Sequence, residues 1–290
     1  MRVFFGLFIL LLIGPIAESS DVPKTDSLTE CSTGLANVQS IQQGALKFDE
    51  SINFAPPFPA WQLDPRLNDL FVRDGNGETQ CELCWPTVMA SAMAYFKYWS
   101  TPPISMLPLV ADPRTADFTN QIREFAKLSG TDPNTGTHPD QEAAAVRSYL
   151  ESAGIANPWV HVIGPYAETY DPPPDEGTNE YIRAPELKDV RDGIQAHEGV
   201  VMDIGGHVLW VVGYDYNVAW GDDHILLKIV NPLIDYSGRP IDSRWDPFTM
   251  TKIQPGQFSP PVTKYAIQGA PFGRYKGLSF ARNLIIFKVK

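Results

Sequence analysis

The sequence predicts an α+β protein, with helical segments gathered before residue 199 and strands gathered after it. Three observations predict it. Residues 84–96 are rich in Ala and Met and carry no Gly or Pro beyond the first turn, which reads as a helix. Apolar residues then recur at helical spacing in three further stretches. Finally, β-branched runs bounded by Gly, Asn and Pro fill 199–231, and another fills the end of the chain.

The helical stretches are justified one by one. Phe118, Ile122, Phe125 and Ala126 share one face. Val146, Tyr149, Leu150 and Ala153 share another, in a helix expected to start near Pro139 and stop at Gly154. Leu187, Val190 and Ile194 mark the last, ended by Gly199. These stripes are expected to be core. The strands follow: 199–203, then 207–215 across a Gly205-Gly206 corner, then 224–230 ending abruptly at Asn231-Pro232, and finally 283–289. Residues 74–78 and 171–177 read as turns or polar loops.

With 290 residues, 43% hydrophobic and 20% charged, the chain is an ordinary globular protein able to bury a sizeable core. The formal charge of −11, with no Lys/Arg cluster, argues against nucleic acid as a partner. Met1-Arg2, an apolar run from Val3 to Ile13, Gly14-Pro15 and the small residues around Ala17 have the layout of a signal peptide over residues 1–19. The run is shorter than the roughly 20 residues a membrane span needs. The mature protein is therefore expected to be exported, secreted or periplasmic, and not held in a membrane. Residues 20–60 are expected to form an N-terminal extension and residues 61–290 the functional domain.

Three cysteines, Cys31, Cys81 and Cys84, leave an odd thiol in an oxidising compartment. Cys31 pairing with Cys81, Cys81 pairing with Cys84, and three reduced thiols are all open on the cysteines alone. Cys84 stands where the predicted helix starts, with Pro86 in the first turn, where its missing N–H costs nothing. Helix N–H groups and the positive end of the dipole favour a thiolate there over the ordinary thiol pKa of about 8.5. His207 stands at the mouth of a strand beside two glycines, and Asn231 ends the next strand, where its amide can orient an imidazole. His138, His161, His197 and His224 sit in unrelated contexts and read as surface or structural residues. No Cys/His spacing suits zinc, so no metal and no cofactor is expected.

Together these segments resemble the papain-like cysteine peptidases. The resemblance lies in Cys81-Glu82-Leu83-Cys84-Trp85, in His207 through Val212-Gly213-Tyr214, and in Asn231, in the chain order Cys, His, Asn. Cys84-Trp85-Pro86-Thr87 and Asn231-Pro232 also look like the peptidases that remove double-glycine leaders from bacteriocins, and their stand-alone relatives. The resemblance implies a two-lobed papain-like fold, with a helical lobe carrying Cys84 and an antiparallel β lobe carrying His207 and Asn231. It implies Cys84 as nucleophile, His207 as base and Asn231 as its orienter, which leaves Cys31 and Cys81 as the candidate disulfide. Glu78 stands where the family places an oxyanion-hole glutamine, and Gln80 is the nearest candidate donor. The implied activity is thiol-dependent cleavage of a peptide or protein substrate by a monomer. Acyl transfer of the transglutaminase or cell-wall amidase kind, and non-catalytic binding on the same scaffold, are the rival readings.

Overall fold

The computed structural model describes residues 48–57, 59–73, 79–80, 82–108, 110, 118–164, 179–181, 184–252, 265–269 and 278–289. Residues 1–19, expected to be a signal peptide, lie outside the described residues, as do Cys31, Cys81, Glu78 and the stretches 74–78 and 171–177.

The class is α+β, an antiparallel sheet with a few helices. The strands are β1 (Glu50–Asn53), β2 (Val72–Arg73), β3 (Thr79–Gln80), β4 (Val160–Ile163), β5 (Asn179–Tyr181), β6 (Gly199–Asp203) and β7 (Val208–Tyr216). They continue with β8 (His224–Val230), β9 (Asp246–Lys252), β10 (Tyr265–Gln268), β11 (Leu278–Phe280) and β12 (Asn283–Phe287). The helices are α1 (Cys84–Tyr98), α2 (Thr119–Leu128), α3 (Pro139–Ser152) and α4 (Leu187–Gln195). The main sheet runs β11-β10-β9-β8-β7-β6-β12-β4-β5, and among the described residues only the β4–β5 pair is parallel. β2 and β3 form a separate two-stranded ribbon.

β7 is the spine of the sheet, with all nine residues buried. Its first half, Val208–Val211, pairs with β6, and its second half, Gly213–Tyr216, pairs with β1 on the same edge. β1 falls within the stretch 20–60 expected as an extension, and it is a strand of this sheet. On the other edge Val211 pairs with Ile229 and Gly213 with Lys228, so Val212 is an extra residue. Such a bulge reverses the alternation of side chains along the strand.

The consequence is visible in what each half touches. Before the bulge, Trp210 meets Tyr95 of α1, ring centroids 5.8 Å apart. After it, the Tyr214 hydroxyl accepts from Gln195 of α4 at 2.8 Å, and Arg191 of α4 stacks on Tyr216 at 4.0 Å. α4 covers the face opposite to α1: a Cβ on Gly193 would lie 2.8 Å from Val200 and 3.3 Å from Ile286, the neighbours of Val201 and Ile285 on the Trp210 row. Gly213 is required here, because a Cβ on it would lie 2.1 Å from the Ile52 carbonyl oxygen of β1.

α1 is wedged between the sheet and α2. Every residue from Cys84 to Phe96 is buried, and α1 packs on both α2 and β7. A helix apolar on all sides has no solvent face to present. α3 packs on β4 and β12 and against α2.

Candidate active site

Cys84 is the first residue of α1, buried, and its thiol is not in a disulfide. Leu83, at the N-cap, makes no side-chain capping bond, and Pro86 removes one N–H from the first turn. The first-turn N–H groups that remain belong to the positive end of the helix. Gln80 lies in β3, four residues before Cys84, where its backbone pairs with Val72.

His207 follows a two-residue hairpin turn between β6 and β7. Gly205 and Gly206 have φ of 85° and 91°, and the Ile204 N–H donates to the His207 carbonyl at 2.9 Å. A turn with two positive φ angles is matched to the twist of a hairpin, and glycine enters it without strain.

Asn231 directly follows β8 and is 1% exposed. Because Trp210 of β7 pairs with Val230 of β8, the chain after β8 returns to the level of the hairpin turn. His207 Nε2 lies 2.9 Å from Asn231 Oδ1. The same oxygen accepts from the Leu233 N–H at 3.1 Å. A backbone donor requires an oxygen there, so the amide orientation is fixed and His207 Nε2 must be the donor. The basic nitrogen of the neutral ring is then Nδ1. Burial pushes the His207 pKa down to about 4, against the Asn231 bond, which favours the charged form. The imidazole is neutral at neutral pH and available as a base.

Asn231 is itself clamped. Its N–H donates to the Tyr236 hydroxyl at 3.0 Å, and that hydroxyl donates to Asp246 Oδ2 at 2.7 Å. Arg239 pairs with Asp246 at 2.8 Å, and the Gln62 N–H donates to the Pro232 carbonyl at 2.9 Å. Burial first, and then Asp246, hold the Tyr236 hydroxyl well above its ordinary pKa, so it stays protonated and donates.

Cys84 and His207 line one cavity of about 620 Å³. The loop between α2 and α3 forms another part of its wall. In that loop the Asp132 and Gly136 backbones bond to each other, and Gly136 sits against Glu82, to whose Oε2 a Cβ would come within 3.4 Å. His138 caps α3 with Gln141 and also lines the cavity, as do Glu142 and Asp203. The sequence reading of His138 as a surface residue holds for its exposure but overlooked this position.

Sequence reasoning also missed Asp203, Tyr236, Asp246 and Asn283. Asp203 could have been suspected from the Asp-x-Gly-Gly spacing, which suits a side chain bonding two residues ahead. Tyr236 and Asp246 carry no local signal.

Among the described residues no group of His, Cys, Asp and Glu side chains is arranged to hold a metal ion, and no helix is long and apolar enough to cross a membrane. Compared with protein-family models and with curated proteins, the chain finds no match.

Proposed function

We propose that this protein is an exported papain-like cysteine peptidase acting on peptide or protein substrates as a monomer. The observation that carries the reading is the fixed tautomer of His207. Asn231 Oδ1 accepts from the Nε2–H, so the ring offers Nδ1 as a base in the wall of the cavity that Cys84 also lines. The α1 start supports it, since a helix N-terminus favours the thiolate.

In this reading the Cys84 thiol gives its proton to His207 Nδ1, and the sulfur attacks the scissile carbonyl carbon. The C–N bond breaks as the leaving nitrogen takes that proton. A water molecule then gives a proton to His207 as its oxygen attacks the thioester carbonyl; the C–S bond breaks, the acid leaves, and His207 returns the proton to the sulfur. N–H groups at the start of α1 are candidate donors to the developing oxyanion, with Gln80 as a further one.

The test is incubation of the protein with a mixed peptide library, with and without an amine donor, followed by mass spectrometry. New peptide termini that vanish in Cys84→Ala are the expected result. Products carrying the amine would assign acyl transfer instead. Peptides that bind and stay intact would make the scaffold a binding protein.

A further inference from the structure

We propose that Asp203 is a positioning residue for His207, acting through the two-glycine turn that joins β6 to β7. The inference rests on the reading of Cys84 and His207 as a reacting pair.

Two consecutive glycines do not determine their own conformation, because glycine populates positive and negative φ alike. Something outside the turn must select the geometry seen. Asp203 does so from the residue that ends β6. Its Oδ1 accepts from the Gly205 N–H at 2.7 Å, inside the turn. Its Oδ2 accepts from Asn283 Nδ2 at 2.9 Å, and its backbone carbonyl accepts from the Arg282 N–H at 3.0 Å. The turn is thus tied to the neighbouring strand β12, where Asn283 pairs directly with Asp203.

The anchor is itself immobilised. Asn283 is 2% exposed, and a Cβ on Gly164 would lie 1.9 Å from its Oδ1, so only glycine leaves room for the amide. Asp203 is 8% exposed, so its hydrogen bonds act in surroundings of low dielectric. Burial also pushes its carboxyl pKa up, opposed by the bonds from Gly205 and Asn283. His207 is the first residue after the turn, and its carbonyl closes the hairpin with Ile204. Rotation of the turn therefore moves the imidazole relative to Asn231 and to the cavity that Cys84 lines. Asp203, Gly206 and His207 all line the Cys84 cavity.

The test is the second-order rate of Cys84 alkylation by iodoacetamide at neutral pH, measured on the folded full chain beside its melting temperature. Wild type against His207→Ala sets the range that the imidazole contributes. Asp203→Ala is expected to react about tenfold more slowly than wild type, because small displacements of a reacting group are costly. Asp203→Asn is expected to recover to within about threefold of wild type. It keeps an oxygen for Gly205, and turning the Asn283 amide over, whose Oδ1 has no hydrogen-bond partner, keeps the second link.

Should Asp203→Ala fail to fold, Gly206→Ala serves in its place. It strains a position at φ 91° with open space around it and leaves the Asp203 side chain intact. A slower rate supports the inference. A lower melting temperature with alkylation at the wild-type rate in Asp203→Ala makes Asp203 a purely structural residue, and the same result in Gly206→Ala removes the turn as the route to His207; either overturns the inference. Equal rates in wild type and His207→Ala overturn the underlying pair, a result distinguishable from the first.

Discussion

Cys84 and His207 line the same cavity, but the molecule holds them by different means. Cys84 rides on α1, and α1 is fixed by burial, with Trp85, Val88, Met89 and Met93 all about fully enclosed between the sheet and α2. His207 depends instead on directional bonds: Asp203 to the turn, Asn231 to the ring, and Tyr236 with Asp246 behind Asn231. Burial is non-directional and sums over many atoms, so it fixes a whole helix. Hydrogen bonds fix individual atoms and a tautomer, which is what a base requires. The Cys84 side should therefore fail by losing stability, and the His207 side by losing alignment.

That contrast can be broken at α1 first. Met89→Ala removes a fully buried side chain and should cost about 2–5 kcal/mol in chemical denaturation, while the surviving folded molecules keep their Cys84 alkylation rate. A slowed rate in the folded fraction would mean that α1 packing also sets alignment.

Next comes pH. Unfolded, His207 takes up its proton near 6.5; folded, only near 4. Between those values the unfolded chain binds more protons, so stability falls as pH drops from about 6.5 to about 4, by about 3 kcal/mol in total. Above 6.5 the residue contributes no pH dependence. Denaturation midpoints across this window should show the slope in wild type and its loss in His207→Gln.

Asn231→Ala should lower Cys84 reactivity about 10- to 100-fold with a smaller effect on folding, since the ring loses the acceptor that fixes its tautomer. Tyr236→Phe is the mildest. It deprives the Asn231 N–H and Asp246 of one buried partner and should cost about 1–3 kcal/mol in denaturation. Its effect on reactivity should be below that of Asn231→Ala.

The same division explains what the sequence disclosed. α1, β6, β7, β8 and β12 are buried along their lengths or nearly so, and their apolar runs announce them. β1 reads Glu50-Ser51-Ile52-Asn53 and gives no such signal, because its stability comes from pairing with β7. β9 opens with Asp246-Pro247, which masks the alternation of Phe248 and Met250. Asp246 is also the carboxylate behind Tyr236, so that strand's polar start has a structural use. The residues carrying His207 and Asn231 were visible from the glycine corner and the Asn-Pro stop. Their braces were not, since Asp203 and Asn283 meet only through the register of β6 with β12, 80 positions apart.

The most direct test of the account is the pH dependence of Cys84 alkylation in wild type and in His207→Ala. With the imidazole serving as base, wild type should react at neutral pH far faster than His207→Ala, on the order of 100-fold, with Cys84 as the labelled residue. Two superimposable profiles, each rising only near the pKa of an ordinary thiol, would contradict it.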